Sequence, residues 1–147
     1  MKIKTYTYNE LTKEKLYQII RLRLEVFVIE QNCVYQDLDN KDQKAIHLVG
    51  EEKGKTIAYT RLFKRGDYFE NASIGRVIVK KENRKKGHGK KIILKSIEVL
   101  KKEHKEKRIE ISAQKYLTSF YADLGFKKEG EDYLEDNIPH IKMILIV

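Results

Sequence analysis

The chain has 147 residues and a mass of 17.4 kDa, with 31 Lys/Arg against 22 Asp/Glu and a net charge of +9. That is one domain's worth of chain, able to bury roughly 68–70% of its extended surface, and its single cysteine, Cys33, excludes an intramolecular disulfide framework. The longest apolar run, 143–147, is far short of the ~18–20 residues that span a bilayer, and MKIKTYTYNE has no apolar core or cleavage site of a signal peptide, so a cytoplasmic, reducing compartment is expected.

In chain order, residues 2–8 alternate weakly and read as a short strand. Thr12 can cap the helix that follows, in which Leu16, Ile19, Ile20, Leu24, Phe27 and Val28 form one apolar stripe. Residues 31–43 are polar and Asp-rich, a loop. Residues 45–51 and 56–63 are apolar runs around Glu52-Lys53-Gly54-Lys55, a hairpin. Residues 72–80 make the strongest strand, with β-branched Ile74, Val77, Ile78 and Val79. Two glycines break the period over 82–89. A long basic helix then runs from Lys90 to near His104, marked by Ile93, Ile97 and Leu100. Residues 108–113 read as a strand, and 116–124 as a short helix stopped by Gly125. Residues 126–133 and 141–147 read as closing strands around the only proline, Pro139. The order predicts a mixed α/β (α+β) single domain over 1–147, one sheet with helices packed on it.

Residues 80–108 hold 13 Lys/Arg and 4 Asp/Glu, so the whole net charge sits there. Such a segment suits an anionic partner (nucleic acid, an anionic membrane or a phosphorylated small molecule), or is a solvated helix face. The residues between the charges narrow the choice. Arg84-Lys85-Lys86-Gly87-His88-Gly89 stands between a strand and a helix. A helix start offers unpaired N–H groups and a positive dipole, and glycines let an anion come close, so the loop reads as a pyrophosphate cradle. It is neither a P-loop nor a G-x-G-x-x-G dinucleotide fingerprint. Nucleic acid is not expected, because 80–108 holds no aromatic to stack a base and no known binding motif is visible. Nor is a metal. Asp37, Asp39 and Asp42 suggest a calcium loop, but the sixth position is Asp42 rather than Gly and the twelfth is Leu48 rather than Glu. One Cys and four scattered His make no zinc set. Cys33 with His47 could carry an acyl group, yet no local group activates the thiol, which reads as inert.

The strand Ile74-Gly75-Arg76-Val77-Ile78-Val79 before Arg84-x-x-Gly87-x-Gly89 resembles the acetyl-CoA motif of the GNAT acyltransferases, and Ser119-Phe120-Tyr121-x-x-x-Gly125-Phe126 is similar to the motif that closes the CoA site there. The ElaA-type branch is resembled by Val26-Phe27-Val28-x-Glu30-Gln31-x-Cys33-x-Tyr35-x-Asp37-x-Asp39, Ala58-Tyr59-x-Arg61, Ala113-Gln114 and Glu135-Asp136-x-Ile138-Pro139-His140-Ile141. These segments cover most of 20–143 in the expected order.

The resemblance implies a mixed sheet splayed into a V between the strands ending near Val79 and Ala113, with helices on both faces. Pantetheine would pair with the backbone of Val77, Ile78 and Val79. The pyrophosphate would sit on Arg84, Lys85, Lys86, Gly87, His88 and Gly89, with Lys90 and Gln114 beside the cofactor. Lys85 stands where many members have glycine. Acetyl-CoA would be the co-substrate. A primary amine, small molecule or peptide, would attack the thioester directly in a ternary complex, with no nucleic acid or membrane partner; a homodimer is compatible with this. A developing oxyanion needs a donor such as the backbone N–H near Val77. The thiolate, of pKa ~8.5, can be protonated by a phenol, and Tyr121 stands at the family's tyrosine position as general acid, or else is a core tyrosine. The base is open among Glu30, His47, Glu135, Asp136 and His140, the last after a proline-stiffened turn. The acidic loop with Glu30, Asp37, Asp39 and Asp42 is either solvated or receives a cationic amine. The alternative function is a non-catalytic acyl-CoA sensor.

Overall fold

The computed structural model describes residues 1–147. Strand β1 (Lys2–Thr7) leads to helix α1 (Lys13–Leu24), which continues as a π-helical turn, Glu25–Glu30. Strands β2 (Ile46–Glu52), β3 (Lys55–Phe63) and β4 (Ala72–Val79) follow, then α2 (His88–Glu98) with a second π-helical turn, Val99–Glu103. The chain closes with β5 (Arg108–Gln114), α3 (Thr118–Asp123), β6 (Lys127–Lys128), β7 (Tyr133–Glu135) and β8 (Ile138–Ile146). One sheet holds all eight strands in the order β1-β2-β3-β4-β5-β8-β6, with β7 also on β8. Every pairing is antiparallel except β4 with β5.

That parallel pairing is short. Only Ala72↔Ile109 and Ser73↔Glu110 are in register, so β4 and β5 part beyond Ser73 and the sheet opens into the expected V. Side chains alternate across a strand, and the alternation sorts the sheet into two faces. On one, α2 and α3 cover a core of 18 buried apolar residues that includes Leu62, Ile74, Ile111, Tyr121 and Met143. On the other, Ile19 and Leu22 of α1 and Val26 of the turn that continues it rest on Val49, Tyr59 and Ile78.

Local signals explain much of this. The Thr12 hydroxyl accepts from Lys15 N–H at 3.1 Å and caps α1. Lys53 and Gly54 both have positive φ, 50° and 76°, which is the two-residue turn that matches strand twist. Two expectations shift. The buried stripe of α1 and the turn that continues it is Ile19, Leu22, Arg23 and Val26 rather than one running through Leu16, Ile20 and Leu24, and Leu24 is 37% exposed. The stripe turns because Arg23 points inward to partners on other elements. Pro139 lies inside β8, opposite Leu134, and the turn is made by Asp136 and Asn137 at φ 50° and 62°. Pro139 falls outside the β5 register, which ends at Gln114↔His140, so its missing N–H interrupts nothing there. No helix is long and apolar enough to cross a membrane.

A β-bulge marks β4. Ile78 stands opposite Tyr59 and Gly75 opposite Arg61, so Arg76 and Val77 together face Thr60. Arg76 takes φ 50°, unusual for a side-chain-bearing residue in a strand. A bulge leaves backbone outside the ladder and re-aims it, here beside the opening of the V.

Candidate active site

A cavity of about 960 Å³ fills the V. Its wall includes Ile111, Phe120 and Tyr121 from the α2/α3 face and Ser112, Gln114 and His140 from the opposite face, so it passes through the sheet where β4 and β5 part.

The α2 end is built for an anion. The backbone N–H groups from Lys85 to Lys90 donate to nothing in the chain, and the first α2 bond is Lys91 N–H to Gly87 C=O, 3.1 Å. Gly87 (φ 79°) and Lys85 (φ 63°) are both left-handed, so Lys85 takes the backbone shape of a glycine while keeping its side chain. His88 is buried, and neither ring nitrogen has a hydrogen-bond partner; the Glu52 carboxylate lies 3.4 Å from Nε2 without aligning. Arg84 is committed elsewhere: Nε–H donates to Val79 C=O at 2.9 Å and the two terminal nitrogens to Glu30 at 2.7 and 3.0 Å. The cavity is lined by Val77, Ile78, Val79, Arg84, Lys85, Gly87, His88, Gly89, Lys90 and Gln114. Lys86 is exposed and does not line it.

Tyr121 lines the same cavity from α3, 6% exposed, edge-on to Phe120 and Phe126 at 5.1 and 5.9 Å. Burial pushes its phenol well above the usual range, so it holds its proton at neutral pH.

The opposite face rests on an ion network. Arg23 donates to Asp37 and Asp42, both 2.8 Å; Arg61 to Asp39 and Asp42, 2.8–3.0 Å; and Arg76 to Asp37 at 2.8 Å. Asp37 is 2% exposed. Both readings of the acidic loop are thereby corrected: Asp37, Asp39 and Asp42 are neither solvated nor free to receive an amine. They tie the 31–43 segment to α1, β3 and β4. Burial favours a raised Asp39 pKa, but the Arg61 hydrogen bond and charge, with Arg76, outweigh it and hold Asp39 down to about 2; Asp42 is lowered likewise by Arg23 and Arg61. Groups with depressed folded-state pKa values stabilise above the ordinary carboxylate pKa of 3.8 and lose that contribution as pH falls through the folded value. Melting temperature should therefore drop between about pH 4 and pH 2, and Asp39→Asn should flatten that drop.

His47 belongs to this network rather than to the cavity. A carbonyl only accepts, so Nε2–H donates to Asp42 C=O (2.9 Å) and Nδ1 accepts from the Tyr59 hydroxyl (2.6 Å). Burial lowers its pKa and keeps it neutral. His140 lines the cavity; Nδ1–H donates to Ile138 C=O at 2.6 Å, Nε2 lies 3.2 Å from the Glu135 carboxylate, and Tyr133 stacks on the ring. The Tyr133 hydroxyl bonds Ser112. Glu135 and Asp136 also reach the cavity. Overhead, Gln31 accepts from Gln114 at 3.3 Å and the Cys33 thiol lies 3.7 Å from Asp136 C=O, so the 31–36 strap spans the V.

Sequence reasoning missed Arg23, Arg76 and Tyr133. The first two had a visible signal, a charge inside an apolar stripe and inside the most β-branched strand.

A family model described as an acetyltransferase (GNAT) domain matches residues 3–147. A UPF0039 protein of Schizosaccharomyces pombe is 41% identical over 140 residues, 94% of this chain and 92% of its own length. ElaA of Escherichia coli is 38% identical over 138 residues, 92% and 90%. The crystal structure of an acyl-CoA N-acyltransferase from Pseudomonas aeruginosa has a TM-score of 0.92 at 33% identity, and that of E. coli ElaA 0.91 at 35%, each covering 99% of both chains. These matches run the length of the chain, which belongs to the GNAT acetyltransferase family, in its ElaA-like branch, and is an acetyltransferase.

Proposed function

We propose that the enzyme moves an acetyl group from acetyl-CoA to a primary amine by direct attack in a ternary complex. The observation that carries this is the cavity lined from both faces of the splayed sheet, with the unpaired N–H cradle and Tyr121 on one side and His140 on the other. The Pseudomonas relative's name, an acyl-CoA N-acyltransferase, supports the same donor here. The cradle N–H groups and α2 dipole would hold the pyrophosphate, and the bulged backbone at Val77 would donate to the oxyanion. The amine nitrogen forms a bond to the carbonyl carbon as the C–S bond breaks. The nitrogen's proton passes to His140, held by Ile138 C=O and faced by Glu135, and Tyr121 gives its proton to the departing sulfur. Glu30 is engaged by Arg84 and braces the cradle, and His47 is sealed in the ion network, so neither serves as base. The Cys33 thiol has no hydrogen bond to a side chain that could activate it, and transfer proceeds without an acyl-enzyme: Cys33→Ser should keep most activity, with no acetylated protein in intact mass spectra.

Tyr121→Phe tests the reading. Loss of a general acid costs ~10²–10⁴ in rate, so kcat should fall at least ~10-fold while acetyl-CoA affinity stays within about threefold. Because burial raises the phenol, the alkaline limb of the parent profile should not belong to Tyr121 below about pH 10. An equally fast Phe variant would remove the acid from Tyr121. CoA binding without turnover across a wide amine screen would favour the sensor reading.

A further inference from the structure

Beyond the cradle and Val77–Val79, where the cofactor is proposed to lie, the cavity continues on the strap side. There β3 presents Arg61 and Phe63, β4 presents Ser73, the β3–β4 loop presents Tyr68 and Phe69, and the strap presents Tyr35. Arg61 and Phe63 share the face of Tyr59, opposite Leu62 and the α2 core. Ser73 is the last β4 residue paired with β5 and lies on the order of 10 Å along the strand from Val77, on the side away from the cradle. The compartment therefore starts where the proposed thioester ends.

Its lining is aromatic and its charges are already matched. Phe63 and Tyr68 are stacked at 4.9 Å, and Tyr68 contacts Phe69 at 4.4 Å. The loop that carries the latter two is closed by Gly66 N–H to Phe69 C=O, 2.8 Å. Tyr68 remains 38% exposed, the one ring of the set with that much open surface. Arg23, Arg61 and Arg76 balance Asp37, Asp39 and Asp42. Of the other carboxylates on the cavity wall, Glu30 is held by Arg84, and Glu135 and Asp136 stand at the His140 end, where the reacting amine arrives. Lys41 also stands over the Tyr68 ring, 5.6 Å from its centre. A polyamine or an aminoglycoside brings several ammonium groups, and each needs a carboxylate or water. Among Tyr35, Phe63, Tyr68 and Phe69 the cavity lining holds no carboxylate to receive the further ammonium groups.

We propose that this compartment is the acceptor subsite and that it takes a primary monoamine borne on an aromatic or similarly apolar body, against polycations. The inference rests on the acetyl-transfer reading and adds the acceptor class to it. The body lies among Tyr35, Tyr68 and Phe69, and its single amine reaches back to His140 at the splay.

The test titrates 2-phenylethylamine and spermidine into the CoA-loaded protein by calorimetry and follows thiol release from acetyl-CoA with each. Phenylethylamine should bind and be acetylated with kcat/KM at least ~10-fold above spermidine. Tyr68→Ala, which removes a part-exposed loop ring stacked on Phe63, should raise KM for phenylethylamine several-fold, and unchanged CoA affinity shows that the fold survives. Spermidine bound or acetylated as well as phenylethylamine overturns the proposal. So does a CoA-loaded protein that takes up no phenylethylamine at millimolar concentration, or a Tyr68→Ala variant with an unchanged KM. Failure to bind CoA at all would strike the acetyl-transfer reading instead, and thermal shift with CoA alone tells the two apart.

Discussion

Gly87→Asp should weaken CoA binding at least ~100-fold, measured by calorimetry. Like charges placed together in a binding site cost several kcal/mol, and each ~1.4 kcal/mol is tenfold in affinity. The position is suited to the test because the cost is not steric: a Cβ on Gly87 would meet nothing within 4 Å. The backbone does object, since φ is 79°, but Asn and Asp tolerate that region better than other side chains. Gly87→Asn is therefore the control, with the same shape and strain and no charge. Asn should lose no more than about tenfold and Asp far more, and the difference isolates the anion. Salt should weaken parent binding, since basic groups crowd the loop, and dephospho-CoA should bind less tightly if those groups hold the 3′-phosphate. Equal losses for Asn and Asp, or an Asp variant within a few-fold of the parent, would place the pyrophosphate elsewhere.

The cradle was legible because its signal is local. Two glycines, a run of bases and the start of a periodic helix lie within a few residues, and their chemistry does not depend on distant chain. The strands were legible for the same reason: alternation or a β-branched run defines 2–7, 46–63 and 72–79 almost to the residue. What could not be read was long-range. The 31–43 segment looks solvated because its acids have no bases nearby in sequence. Their partners, Arg23, Arg61 and Arg76, lie on α1, β3 and β4, and only the fold brings them together. Glu30 looked free for the same reason, being 54 residues from Arg84. Pro139 was placed in a turn because proline usually marks one, yet Asp136-Asn137 carries the positive φ that the hairpin needs, and Pro139 sits where no β5 partner asks for its N–H. His140 thus owes its position to the β7–β8 hairpin and the Tyr133 stack rather than to a stiffened turn.

Arg23→Ala should be the most destabilising single change on the acceptor face. Breaking a buried ion pair by removing one partner costs ~3–5 kcal/mol, because the abandoned charge stays in the interior. Asp37 and Asp42 are both buried and would each lose a 2.8 Å hydrogen bond, and the guanidinium also lies 5.9 Å from the Tyr59 ring centre, so packing is lost as well. Domains of this size are stable by only ~5–15 kcal/mol, so the variant should show a large fall in denaturation midpoint or fail to accumulate. Arg23→Met discriminates charge from volume: it restores apolar bulk under α1 yet leaves three carboxylates, Asp37, Asp39 and Asp42, to two guanidiniums, so it should recover little. Arg23→Met with Asp42→Asn should recover much of the loss, since one charge of each sign then leaves while Asp37 keeps Arg76 and Asp39 keeps Arg61. The local consequence is equally specific. Asp37 also holds Arg76, the φ 50° residue of the β4 bulge, so the single variants should loosen that bulge and raise amide exchange at Val77 before the cradle at 85–90 is affected. A destabilised Arg23→Ala protein in which Val77 exchanges as slowly as in the parent would show that the bulge holds its shape without the network.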